Sequence, residues 1–307
     1  MTSLHEASDG AWGARVLLIR LSAPLRHEAS LRSCLLARVA WTSVVHHPGT
    51  WHARAWSMFI GHYGPAYAIK RLQPGISMFT LFVAVQLLDV AWSVLVPLGI
   101  EKVRIVPGIT ATNPLDLFHM PYTHSLVAAL IWAVCAGFMY RLLSGRAQRA
   151  YAGLAVGALV FSHWLLDLVV HRPDLPIVGN DMKVGFGLWN FPLLALALEL
   201  ASLVGGLWMY LASTRARDKI GRFGPLAFVA LLCAMQIIMF FGRPPQSANQ
   251  AAISALASYV VFAAVAAWLD RHRQPYRVAA GARTAIEADM QRTRSTAPSA
   301  QDGSRHA

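Results

Sequence analysis

Charge is scarce in this sequence. Asp, Glu, Lys and Arg make up 14% of the 307 residues, where a soluble domain averages about 25%. With 56% hydrophobic residues and a mean hydropathy of +0.44, the chain has too little polar surface for water and belongs in lipid. Cysteine is nearly missing. Cys34, Cys135 and Cys233 are too few and too scattered for a disulfide framework or a cysteine metal site. Alternating ten-residue segments are lacking, which excludes a closed membrane barrel. The first 57 residues hold no signal-peptide core followed by a cleavage site. Acids are short too: 15 against 27 Lys and Arg, a formal net charge of +12.

What the chain does have is long apolar runs. About 20 such residues cross the hydrocarbon of a bilayer as a helix, and six runs qualify: residues 76–100, 123–143, 151–170, 189–213, 223–242 and 250–269. The expected fold is an all-α polytopic helix bundle. Small residues at four-residue spacing, as in Ala152–Ala158, let helix backbones approach closely. Arg141, Arg146 and Arg149, then Arg215, Arg217, Lys219 and Arg222, then seven arginines from Arg271 onward, mark one side of the membrane. By the positive-inside rule that side is cytoplasmic, with both termini on it. Residues 1–57 read as a basic extension, disordered or upstream of the true start, 58–270 as the membrane domain, and 271–307 as a disordered basic tail. The basic excess therefore reports topology and lipid contact, and gives no support for nucleic-acid binding.

An ionisable group deep in a span costs about 2.5–3.5 kcal/mol on insertion scales, so each one needs a reason. Asp89 lies within the first run, His124 opens the second, His163 and Asp167 sit in the third with His171 at its end, and Glu199 lies in the fourth. His163, Asp167 and His171, spaced by four and four, share one helix face. Paired donors at that spacing can hold a divalent metal, and the His/carboxylate mix suits zinc, manganese or iron. A second cluster, Asp116 to Ser125, includes His119. On the inferred topology these groups meet in the outer half of the bundle. His62 is harder to place, since Lys70 and Arg71 follow it. Either it stays outside the cluster, or residues 59–69 dip into the bundle, or the first helix is reversed. Structural readings stand beside these. An intramembrane His or Asp often only bonds a neighbouring helix, Glu101, Lys102 and Arg104 read as an interfacial charge cluster, and Arg172, Asp174 and Asp181 read as a solvated loop.

Four short motifs occur in order: Phe-Ile-Gly-His62, Leu-Leu-Asp89, Tyr-Thr-His124-Ser125 and Ser-His163-Trp-Leu-Leu-Asp167. Over residues 58–210 the pattern resembles the membrane-bound, metal-dependent hydrolases of bacterial inner membranes. The resemblance implies a divalent metal, zinc or manganese, held by His62, Asp89, His124, His163 and Asp167. His119 or His171 is then the candidate general base or proton donor, and Glu199 the candidate carboxylate orienting a ligand imidazole. The family pattern has a close Asp pair at the first-span motif. Here Asp89 stands alone before Val90 and Ala91, which weighs against two metals. The substrate expected from the site's depth is a lipid-linked or amphiphilic ester or phosphoester. The other classes are a proton- or metal-coupled transporter, for which neither an internal repeat nor matching broken helices show, and a non-catalytic scaffold on anionic lipid.

Overall fold

The computed structural model describes residues 60–144, 149–242 and 244–276. The expected extension over 1–57 and the tail beyond 276 lie outside them. A 3-10 turn, Ile60–His62, leads into α1 (Tyr63–Leu72), followed by α2 (Met78–Val85) and α3 (Leu87–Leu95). An antiparallel hairpin, β1 (Lys102–Ile105) with β2 (Leu115–His119), precedes the long helices. These are α4 (Leu126–Leu143), α5 (Arg149–Val170), α6 (Pro192–Ser213), α7 (Lys219–Phe241) and α8 (Ala248–Arg271). A second small ladder pairs β3 (Thr214–Ala216) with β4 (Arg273–Pro275).

The fold is mostly helical, as expected, with two short β ladders that an all-α reading left out. Five helices, α4 to α8, are long and apolar enough to cross a membrane. Their outer faces carry exposed Leu143, Leu154, Leu193, Val134 and Ile238, a continuous apolar surface that soluble proteins avoid. Local chemistry starts four of the helices, α2, α4, α7 and α8. The side chains of Ser77, Ser125, Asp218 and Ser247 accept the backbone N–H groups of Thr80, Ala128, Gly221 and Gln250, replacing partners that a helix N-terminus lacks.

The first expected span departs from its straight reading. Residues 78–95 form two helices bent by 59° at Gln86. Hydropathy runs unbroken through that point, which is why the sequence showed one helix. The ordered chain also continues past 270, because β4 pairs with β3.

His62 reaches the bundle by the second of its routes. The short helix α1, far too short to span, lies inside the protein with Tyr63, Gly64, Ala66, Tyr67 and Lys70 buried. Non-spanning backbone is tolerated at depth where protein covers it. Its fit against α6 depends on glycine: a Cβ on Gly64 would strike the Ser202 carbonyl, and one on Gly206 would strike the Gly64 backbone. Helices α4 and α5 meet through Gly137, Gly153 and Gly157, each against a backbone carbonyl of its partner. This is the small-residue contact that the spacing suggested.

Tyr63, Phe82, Phe228 and Phe262 then fill the space between α1, α2, α7 and α8. The arginine-rich ends of the long helices and the β3–β4 ladder lie together, and the hairpin and the 171–190 loop occupy the opposite end. Gly206→Leu should wedge α1 from α6 and cost about 1–3 kcal/mol, seen as a lower Tm in detergent. Gly205→Leu, at an exposed position where an added Cβ meets nothing within 4 Å, should leave Tm unchanged.

Candidate metal centre

Five ionisable side chains from four separate segments converge near the hairpin end of the bundle. Asp167, on the last turn of α5, is the hub. Its Oδ1 lies 3.2 Å from His62 Nε2 and its Oδ2 lies 3.2 Å from His163 Nε2 and 3.6 Å from His124 Nε2. Asp89 Oδ1, in the first turn of α3, lies 3.2 Å from His124 Nε2 and 3.6 Å from His163 Nε2. Two triads, His62–His163–Asp167 and Asp89–His124–His163, have donor atoms close enough together to share an ion. Zinc sits about 2.1 Å from such donors, so the edges of a tetrahedral site are about 3.4 Å. The observed separations bracket that value. Both triads use His163, and one imidazole nitrogen has one lone pair for one ion.

The far side of each ring fixes which nitrogen faces the cluster. His163 Nδ1 is 2.8 Å from the Val85 carbonyl, which can only accept, so Nδ1 carries the proton. That carbonyl ends α2, and the bend at Gln86 frees it from the helical bond it would otherwise make. His124 Nδ1 is 2.7 Å from Thr123 Oγ1, which gives its own proton to Glu101 Oε2 at 2.6 Å. Thr123 must therefore accept from His124. His171 Nδ1 is 2.9 Å from Asp174 Oδ1. In His163 and His124 Nε2 is left as the lone-pair nitrogen, the tautomer that binds metals.

Lone pairs facing carboxylate oxygens repel unless a cation lies between them. His163 Nε2 and Asp167 Oδ2, both buried, have no hydrogen-bond partner, and unsatisfied groups of this kind cost several kcal/mol in apolar surroundings. A divalent ion held between them would answer both.

Other expected residues fall in different places. Glu199 orients His62 through the backbone: its Oε2 accepts the Gly61 N–H at 2.5 Å, while Ser202 Oγ donates to the Gly61 carbonyl at 2.7 Å. A Cβ at Gly61 would collide with Glu199, so the Gly-His pair is a steric requirement. His171 follows α5, packs its ring at a tilt against Trp189 and points Nε2 toward Asp167 Oδ1 at 3.7 Å. Burial alone would lower its pKa, but the Asp174 and Asp167 carboxylates outweigh that and hold it above the ordinary imidazole value. His119 does not join the cluster. It sits half-buried on β2 opposite Lys102, so the structure gives it no catalytic place.

Three positioning groups escaped the sequence reading. Glu101 is not an interfacial charge: 1% exposed, it also accepts the Tyr122 and Thr123 backbone N–H groups. Asp174, read as solvated, is buried against His171. Tyr259 on α8 donates to Asp89 Oδ2 at 2.7 Å, which leaves Oδ1 to face the imidazoles. Nothing in the sequence pointed to Tyr259. Glu101 and Asp174 signalled only as acids next to motif residues.

The cluster forms one wall of a cavity of about 440 Å³. It is also lined by Met235, Ile238 and Met239 of α7, an apolar stretch, and by Gln250, Ala251, Ser254, Ala255 and Ser258 of α8. Those helices had no role assigned from sequence beyond scaffold. No protein-family model, curated protein or solved structure matches the chain, so the hydrolase resemblance rests on the residues of its four motifs.

Tyr259→Phe and Thr123→Val should each weaken divalent-metal affinity about 10- to 100-fold, as removal of outer-shell partners does. Competition with a chromogenic chelator measures this. Unchanged affinity in both variants would show that these hydroxyls do not orient the ligands.

Proposed function

We propose that the chain is a multi-pass membrane hydrolase dependent on one divalent metal ion, zinc or manganese, held by His62, Asp89, His124, His163 and Asp167. The observation that carries this reading is the set of imidazole Nε2 atoms directed at two carboxylates, the buried Asp167 and the partly exposed Asp89. Such an ion supplies a water acidified to near-neutral pKa and polarises an oxygen of the scissile group. Asp89 and Asp167 balance the ion's charge, which keeps the buried site near neutrality. His171 lines the cavity beside Asp167. Held by Asp174 through Nδ1, it is placed to carry a proton at Nε2 to a leaving oxygen. Glu199, Glu101 and Tyr259 hold their partners in place.

The cavity's two faces suggest the substrate class. The polar wall takes an ester or phosphoester, and the Met235–Met239 wall takes hydrocarbon. Helices α7 and α8 touch through Gly224 against Leu269 and Phe228 against Phe262, near the arginine-rich end. The cavity lies between their other ends, which suits lateral access by an amphiphile from the bilayer. The bacterial inner membrane is the location that the resemblance implies, and the arginine distribution would put the cluster in its outer half. A transporter is less well supported, since the break at Gln86 has no counterpart among the described helices of the second half.

Purified protein should contain about one equivalent of divalent metal by elemental analysis, and His163→Ala or Asp167→Ala should contain almost none. A chelator should abolish cleavage of amphiphilic esters or phosphoesters. His171→Gln should keep the metal and lose about 10²- to 10⁴-fold in kcat. Metal-free protein with both ligand variants fully functional in cells would end the hydrolase reading.

A further inference from the structure

A second cavity, of about 390 Å³, lies at the opposite end of the bundle, walled by the end of α1, the end of α8 and the β3–β4 ladder. Four cationic side chains line it, Lys70, Arg217, Arg271 and Arg273, against one carboxylate, Asp270. That carboxylate is already committed twice, taking Lys70 Nζ at 2.7 Å on Oδ2 and the Tyr210 hydroxyl at 2.7 Å on Oδ1.

Arg273 is buried, yet its guanidinium meets only neutral oxygens: Thr214 Oγ1 at 2.8 Å, the Thr214 carbonyl at 2.7 Å and the Gly221 carbonyl at 2.5 Å. Asp218, the next acid along the chain, is occupied by His272 and the Gly221 N–H. Among the described residues, the Arg217 and Arg271 guanidinium groups make no hydrogen bond or ion pair. Three positive charges in this cavity thus lack an anion.

We propose that this pocket is an anion site for a phosphate-bearing group, either the headgroup of an anionic lipid or soluble phosphate. Guanidinium forks match phosphate oxygens in pairs, and basic pockets between helix ends at the membrane surface are sites for anionic headgroups. Lys70 and Arg273, held rigidly by their internal bonds, set the field of the pocket. Arg217 and Arg271 are the groups with donors to spare. The site is independent of the metal centre and of the hydrolase reading.

The test uses the full chain in nanodiscs of equal phosphatidylglycerol and phosphatidylcholine, with retained lipid counted by native mass spectrometry. Arg217→Gln/Arg271→Gln should cut phosphatidylglycerol retention by at least about tenfold, since each arginine contributes roughly fivefold. Metal content should not change. Arg141→Gln/Arg222→Gln removes the same charge from outside the pocket and should retain phosphatidylglycerol. Absence of lipid preference, with inorganic phosphate raising the Tm of the wild type but not of the pocket variant, would assign the site to soluble phosphate. Neither effect, or equal loss in both double variants, would overturn the proposal.

Discussion

The structure depends on one electrostatic constraint, the placing of two aspartates, one buried and one partly so, among imidazoles inside an apolar bundle. Asp167 is 4% exposed and lies within 3.7 Å of the Nε2 atoms of four histidines. In surroundings of low dielectric such a group is strongly unfavourable unless every charge is answered. The rest of the fold can be understood as the apparatus that answers them. It breaks the first span to free a carbonyl for His163, folds a short helix inward to deliver His62, and uses Glu101 to fix the loop that carries His124.

These devices share a logic. The His124 and His163 rings are held from behind by acceptors, so their metal-facing nitrogens are defined before any ion arrives. Preorganisation of this kind moves the cost of ordering from binding to folding. The close glycine contacts serve the same end, because Gly64 and Gly206 let α1 and α6 approach until Glu199 can reach the Gly61 backbone.

Much of this was legible in the sequence, for a simple reason: lipid makes every buried charge conspicuous. Asp89, His124, His163 and Asp167 stood out because apolar residues surround them, and the structure brings them together. His62 was harder, since it belongs to a segment neither apolar enough to span nor polar enough for a loop. Its buried helix follows from contacts with α6 that no local pattern records. The bend at Gln86 was invisible because hydropathy averages over it. Glu101 and Asp174 were misjudged because they lie in connecting segments, where acids are ordinarily solvated. Tyr259 could not be found at all, since a tyrosine in an apolar helix is unremarkable until its distant partner is known. The net charge of +12 likewise gained detail, with part of it gathered around a pocket.

The break in the first span has a consequence for biosynthesis. The Val85 carbonyl receives its partner from α5, and Asp89 receives Tyr259 from α8, 170 residues downstream. A growing chain therefore holds Asp89 without this hydrogen-bond donor until its last long helix has docked, so the orientation of that carboxylate is a property of assembly rather than of any one segment.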